Sequence, residues 1–331
     1  MIKKKMYIYV FITFIILFIV SLFFIKKCMF FDGEKLKGEY VIDTHISIVG
    51  DYMFYESKSG VLGMAKNLKT GENKIVGIGL YNVNVYDDEI YYFAQRSPNP
   101  ESYFCRRGVT SLIENRVMPN RVSQYKFYND YLYFQKHSYS TDVDGSENGY
   151  LYRMNLDTKQ TDELIGVRTR GFDIANNNLY YIRYSEEGYE KYRELLCDGI
   201  FGYSLTDNTE FSVIDGFIGD FDIYENDIVY SEYKHNNSAN KQKGKYHLLW
   251  LNLETNKKTE ITNDVMYFKL YNEKLCFVEN DNPDEINIFN CSNGNIISVA
   301  VRGIDNSSGF VLHENKIYYY DQNHNLCDSE L

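Results

Sequence analysis

Phe172-Asp173-Ile174-Ala175-Asn176-Asn177-Asn178-Leu179-Tyr180-Tyr181 spells out a β-hairpin residue by residue. Side chains alternate across a strand, so Phe172 and Ile174 share one face before the asparagine run, and Leu179 and Tyr181 share one after it. Asparagine tolerates the left-handed backbone that a tight hairpin turn requires, which makes the run a turn. The same block returns along the whole chain. Its anchors, the first apolar residue after each turn, are Met53, Ile90, Leu132, Leu179, Ile228, Leu275 and Ile317. Two places on stand Tyr55, Tyr92, Phe134, Tyr181, Tyr230, Phe277 and Tyr319. Five and seven places before each anchor the residues are again apolar, as in Ile46/Ile48, Val83/Val85 and Phe268/Leu270.

Anchor spacings of 37, 42, 47, 49, 47 and 42 residues leave room for four short strands per copy. A hairpin repeat of about forty residues is the mark of a β-propeller. The fold class expected is therefore all-β, a seven-bladed β-propeller preceded by one N-terminal transmembrane helix. Third strands read most clearly in Leu151 to Thr158 and Leu248 to Thr255, and fourth strands in Lys74 to Val76 and Thr259 to Thr262. In the second copy Cys105-Arg106-Arg107-Gly108 departs from the third-strand pattern. The last copy is short of a fourth strand, while Glu39-Tyr40-Val41-Ile42-Asp43 reads as a strand with no blade of its own. An exposed strand edge is a liability, so this segment is expected to complete the last blade and close the ring.

Met6 to Ile25 is an unbroken apolar run between Lys3-Lys4-Lys5 and Lys26-Lys27. Twenty residues at helical rise match a bilayer's hydrocarbon thickness. A cleaved signal peptide would end in small residues, and this run ends in Phe-Phe-Ile. The small residues a lipoprotein signal needs before Cys28 are likewise missing. The expected organisation is a cytoplasmic tail at 1–5, an anchor at 6–25, a tether at 26–35 and the propeller at 36–331. The propeller is expected outside the cytoplasm, on a single-pass membrane protein. The net charge is −11, and setting aside the five flanking lysines leaves −16. A domain that acidic is repelled by nucleic acid, which is excluded as a partner. The expected partners are the membrane, through Met6 to Ile25, and another protein or a cell-envelope ligand. Six cysteines show no C-x-x-C spacing; Cys276 and Cys291 fall in one repeat, where a disulfide competes with two buried free thiols.

The blocks Asp88-Glu89-Ile90-Tyr91-Tyr92, Asn177-Asn178-Leu179-Tyr180-Tyr181 and Asn315-Lys316-Ile317-Tyr318-Tyr319, with Leu151-Tyr152-Arg153-Met154-Asn155-Leu156-Asp157, resemble a known group. They are similar to bacterial β-propeller domains of unknown function related to the propellers of the low-density lipoprotein receptor. The resemblance implies a six- or seven-bladed binding platform, often on the cell surface, with no common activity. Tyr-Tyr or Tyr-Phe stands where the receptor's signature has Tyr-Trp, so no functional residue carries over. Propeller-bearing peptidases add an α/β-hydrolase domain with a G-x-S-x-G elbow. The nearest match here, Gly202-Tyr203-Ser204-Leu205-Thr206, lacks the last glycine and falls in an expected strand.

Two regions differ between copies and so attract functional expectations. The second-to-third-strand loops are long in copies three to five: Lys136 to Gly149, Ser185 to Asp198 and Lys234 to Lys245. Loops on a rigid scaffold commonly carry recognition. The middle residues of the first strands are Ser47, Asn84, Lys126, Asp173, Asp222, Lys269 and Val311. Asn84, Lys126, Asp173, Asp222 and Lys269 are expected near a channel mouth, either as a polar ligand site or as structural pairs Lys126–Asp173 and Asp222–Lys269. Asp142, Asp144, Ser146 and Asn148 alternate like a calcium loop but lack the full ligand order and a closing glutamate. No metal and no cofactor is expected. The functional expectation is a membrane-anchored binding or scaffolding module using the loops of copies three to five. The alternative is an enzyme on cell-envelope glycan or a small polar substrate, with Asp173 and Asp222 as acid and base; no catalytic motif supports it.

Overall fold

The computed structural model describes residues 40–42, 46–59, 62–78, 80–86, 89–95, 102–108, 114–117, 122–136, 149–184, 197–234, 244–291, 293–301, 304 and 309–331. Among them every regular element is a strand. No helix among them is long and apolar enough to cross a membrane. The expected anchor, Met6 to Ile25, lies outside the described residues, as do the tail and tether. The chain divides into two compact units, Met1–Val117 with Asn323–Leu326 and Met118–Gln322 with Cys327–Leu331.

In the first unit, β1 (Tyr40–Ile42), β2 (Ile46–Val49), β3 (Tyr52–Glu56), β4 (Leu62–Asn67) and β5 (Asn73–Ile78) form one sheet in chain order. A second sheet contains β6 (Leu80–Tyr86), β7 (Glu89–Gln95), β8 (Ser102–Gly108) and β9 (Asn115–Arg116). Val49, Phe54, Val76, Val83, Ile90 and Tyr92 belong to one buried cluster. The irregular Cys105-Arg106-Arg107-Gly108 is an ordinary third strand after all: Cys105 pairs with Tyr92 and is fully buried. Arg107 is buried beside it and donates from Nη2 to the Val76 carbonyl at 2.6 Å. A charge thus replaces an apolar contact, which is why the pattern breaks there.

β1 corrects an expectation. It pairs antiparallel with β2, Tyr40 opposite Val49 and Ile42 opposite Ser47, and not with the last copy. Three residues separate the two strands, and closing so short a loop costs far less entropy than joining segments at opposite ends of a long chain.

The second unit begins with β10 (Val122–Tyr128), β11 (Tyr131–Lys136), β12 (Gly149–Asn155), β13 (Thr161–Ala175), β14 (Asn178–Tyr184), β15 (Cys197–Ser204) and β16 (Glu210–Asp215), all in one sheet. β13 is 15 residues long and serves two meanders. Its first half pairs with β12 and its second half with β14, and Thr169 is opposite both Gly149 and Arg183. Next come β17 (Ile218–Tyr224), β18 (Asp227–Lys234), β19 (Lys245–Asn252) and β20 (Lys257–Thr262). They are followed by β21 (Val265–Tyr271), β22 (Lys274–Glu279), β23 (Asn282–Asn290) and β24 (Ile296–Ala300). A three-stranded sheet of β25 (Phe310–His313), β26 (Lys316–Tyr320) and β27 (Leu326–Glu330) ends the chain.

The register explains the repeat. The residue five before each anchor pairs with the anchor itself, as in Phe127–Leu132, Ile174–Leu179, Ile223–Ile228 and Leu270–Leu275. The residue seven before pairs with the aromatic two after, as in Phe172–Tyr181 and Phe268–Phe277. All seven anchors are 0% exposed. Full burial of such a side chain contributes about 1.5–3 kcal/mol, and each cross-strand pair adds up to about 1 kcal/mol. Two-residue turns join the first two strands, with Asn129, Asn176, Asn177, Glu225, Asn272 and Glu314 at positive φ. Turns with left-handed residues match the twist of the flanking strands.

Candidate functional site

The middle residues of the first strands lie between two core positions, so alternation turns them away from that core face. In the second unit they find one another across successive meanders. Lys126 of β10 forms an ion pair with Asp173 of β13. Lys269 of β21 donates to Asp222 Oδ1 of β17 at 2.7 Å, and the Leu270 amide donates to Asp222 Oδ2 at 2.8 Å. Asp173 Oδ1 also accepts from the Ile174 amide at 2.6 Å. The carboxylates are the covered partners, with 13% and 11% of their side chains exposed, against 36% and 27% for Lys126 and Lys269. Of the two expectations for these four residues, the structure displays the paired one. Asn84, in the first unit, is buried with Oδ1 accepting from the Val85 amide at 2.8 Å, and Ser47 is buried as well.

Further ties run in parallel with the ion pairs. The Gln124 amide clamps Phe172, donating to its carbonyl at 2.8 Å and accepting from its amide at 3.0 Å. Tyr271 Oη donates to the Phe310 carbonyl. Near the hairpin turns, Tyr128 Oη donates to Asn177 Oδ1 at 2.9 Å, and Asn176 Nδ2 donates to the Glu225 carbonyl at 3.1 Å. Gln124 and Tyr128 were not singled out from the sequence, and Asn176 and Asn177 were read only as turn residues. The signal was present: each is a polar residue at a fixed offset from its anchor, and its partner sits one repeat away.

Asp220 was missed too. It stands two residues before Asp222 on β17, its amide donating to Ser231 Oγ at 2.9 Å and its Oδ1 accepting from the Phe221 amide at 2.9 Å. Loss of hydration among crowding protein atoms, and then the Asp222 charge, push its carboxyl up to about 6, while Lys269, the Phe221 amide and Arg170 pull the other way. Asp220 still keeps surface open to water. Its hydration is therefore reduced rather than abolished.

The long loops at 137–148, 185–196 and 235–243 lie outside the described residues, and with them the calcium-like Asp142, Asp144, Ser146 and Asn148. Their stems are described. Lys136 pairs with Tyr150, Tyr184 with Cys197 and Lys234 with Lys245. Two stems return through a glycine that has no room for a side chain. A Cβ at Gly149 would lie 2.7 Å from the Lys136 carbonyl oxygen, and one at Gly244 would lie 2.5 Å from that of Lys234. Behind the first stem, Gln135 and Thr169 are buried, and Thr169 Oγ1 donates to the Gly149 carbonyl at 3.0 Å. Behind the second, the Gly244 amide donates to Tyr233 Oη at 3.0 Å. The loops leave from, and return to, fixed points.

Cys276 and Cys291 are free. Leu275 pairs with Phe289 and Cys276 with Ile288, so alternation puts Cys276 on one face of the sheet and Cys291 on the other. Burial raises both thiols, Cys291 to about 11. Among the described residues no group of three or more His, Cys, Asp or Glu side chains could hold a metal ion.

The up-and-down meanders define an all-β protein with a β-propeller-like fold, and comparison with solved structures agrees. The computationally designed Ika8 protein matches with a TM-score of 0.54 at 6% identity, over 89% of this chain and 98% of that one. The N-terminal domain of Nup159 matches with a TM-score of 0.51 at 13% identity, over 89% and 90%. The tricorn protease matches with a TM-score of 0.53 at 10% identity over 76% of this chain, which spans only 30% of the protease chain. At these identities the likeness is one of fold. No protein-family model matches the chain, and no curated protein does.

Proposed function

We propose that this protein is a seven-bladed β-propeller that acts as a protein-binding scaffold, with the loops 137–148, 185–196 and 235–243 as its recognition surface. In this reading Met6 to Ile25 anchors the chain in the membrane, and the propeller faces away from the cytoplasm. The Tyr-Tyr blocks liken the chain, in this reading, to the bacterial propeller domains of unknown function. Seven hairpin registers with fully buried anchors support the blade count, and the propeller-like neighbours support the fold on which such a scaffold would be built. The observation that carries the recognition surface is the fixing of the loop stems. Gly149 and Gly244 hold two of the long loops, those of the third and fifth copies, against partner carbonyls, so segments that differ between copies leave a fixed frame.

Acid–base catalysis by Asp173 and Asp222 is the weaker reading. Each carboxylate has its own lysine, and both Asp222 oxygens accept hydrogen bonds. A carboxylate so engaged has its oxygens committed to fixed partners and is poorly placed to exchange a proton with a substrate.

The test is a photo-crosslinking residue placed singly in each of the three loops of the full chain in its native cells, with a control at Phe211, an exposed side chain on β16. The expected result is one protein species crosslinked from the loops and not from the control. Equal labelling from position 211, or labelling from none of the loops, refutes the surface. Protease shaving of intact cells checks the orientation: an exported propeller is digested, and protection means the opposite topology.

A further inference from the structure

β24 is the last strand of its sheet, with β23 as its neighbour on one side. The other strands that end a meander carry charges: Lys74 on β5, Arg116 on β9, Glu210 and Asp215 on β16, Lys257, Lys258 and Glu260 on β20, and Asp328 and Glu330 on β27. Charges on edge strands keep other chains from pairing with them. β24, Ile-Ile-Ser-Val-Ala, has none. Ile296 and Ile297 are 53% and 56% exposed, the two most exposed large apolar side chains among the described residues. The neutral stretch is long. From Ile286 to Val301 no residue is charged, in a chain that is 24% charged overall, and the stretch contains no proline. Uncharged, β-branched and proline-free, it is the kind of segment that pairs strand to strand.

The geometry points to a second copy of this chain as the occupant, with β24 pairing antiparallel to its own counterpart about a two-fold axis. Two arguments select it. A net charge of −11 makes copies repel over most of their surface, so they can approach closely only where both are neutral. The strand is also compatible with its own reverse. With Ser298 opposite the second copy's Ser298, Ile297 meets Val299 and Ile296 meets Ala300, so apolar faces apolar and no charges are opposed. Reversing β16 on itself would instead set Glu210 against Asp215. A two-fold pairing closes at two copies, so an exposed edge is used up without growing a filament.

The experiment uses the full chain in detergent micelles. Opposed residues of an antiparallel pair have Cα atoms about 4.5–5.5 Å apart, within the reach of a disulfide. Ser298→Cys, treated with copper–phenanthroline as oxidant, is expected to give a covalent dimer. The wild-type chain, as control for its own cysteines, and Ser212→Cys on the charged β16 are expected to stay monomeric on denaturing gels. In sedimentation, Ile297→Lys, which sets two cations into the pair, is expected to weaken dimerisation at least about tenfold, equivalent to about 1.4 kcal/mol. Unchanged circular dichroism and melting show that this variant folds. A Ser298→Cys chain that stays monomeric, a Ser212→Cys chain that crosslinks as readily, or a dimer that survives Ile297→Lys overturns the proposal.

Discussion

Lys269 reaches Asp222 from 47 residues further along the sequence, with Nζ 2.7 Å from Oδ1. The adjacent backbone amide of Leu270 holds the other oxygen at 2.8 Å. One carboxylate thus joins the first strands of two successive meanders through a charge and through the main chain. Such a carboxylate is expensive to orphan, because both groups that face it have been positioned for a negative charge.

Asp222→Ala should therefore lower stability by about 1–3 kcal/mol, less than a sealed pair would lose, because Lys269 retains some access to water. Lys269→Met alone should also destabilise, leaving Asp222 with only its amide contact. The double variant should be less harmful than the two losses added, with a coupling of about 0.5–3 kcal/mol. Urea unfolding of the four chains measures this; strict additivity would mean that the pair contributes nothing.

Asp220 predicts a pH dependence with a definite sign. Its folded-state carboxyl is raised to about 6, above the ordinary aspartate value of about 3.9. Between those two values the folded state binds the extra proton, so this residue's contribution to stability falls as pH rises through the window and remains unfavourable above it. Solvent access at Asp220 screens the effect and discounts it to about 1 kcal/mol. Asp220→Asn should therefore be more stable than the parent by about that amount at pH 7.5 and equal to it near pH 4. Melting temperatures across this range test the difference, and a gap that widens toward acid would reverse the sign.

Glu225 occupies the left-handed region at φ 52 in a two-residue turn, where a side chain with no special tolerance costs roughly 1–2 kcal/mol. Glu225→Gly removes that strain but gives the unfolded chain more freedom, so the expected net gain is about 0.5–1 kcal/mol. Its carbonyl still accepts from Asn176, so the link between turns survives the change. A loss of stability in denaturant would show that the glutamate side chain makes a compensating contact.

Gly149→Ala and Gly244→Ala test the loop stems. Each added methyl would meet a backbone carbonyl at 2.7 and 2.5 Å respectively, and a paired strand cannot yield that distance freely. The expected cost is about 1–3 kcal/mol each. Gly166→Ala, in the same unit with nothing within 4 Å of its added Cβ, is the matched control and should be nearly neutral. Equal behaviour of all three in thermal unfolding would mean that the stems give way.

The hairpins were legible because one physical constraint repeats. Anchors such as Leu179 and Ile228 pair with the residue five places before them, and a two-residue turn leaves no other register. The pairs Lys126–Asp173 and Asp222–Lys269 were legible for the same reason, since a fixed offset from the anchor puts them at matching heights in neighbouring meanders. β1 was not legible: a three-residue strand carries too little pattern to name its partner, and chain proximity won. Asp220 was overlooked because its raised carboxyl comes first from the protein atoms that fold around it, while Lys269 and Arg170, which oppose the shift, are brought in from other strands. The continuity of β13 was equally hidden. Its residues alternate as well for two strands as for one, and only the shared pairing of Thr169 with Gly149 and Arg183 reveals the single strand.

That continuity bears on where the gene for such a protein can be cut and rejoined. New chain ends opened within Gly166 to Arg170 would interrupt a ladder that two meanders share, so both would fray from one break. Ends opened at Gly216, between β16 and β17, would disturb the bond from its amide to the Asp198 carbonyl but leave the ladders of both strands whole. The third and fourth copies therefore form an inseparable module for circular permutation, duplication or grafting. The repeat that looks sevenfold on the page offers one fewer internal breakpoint than its copies suggest.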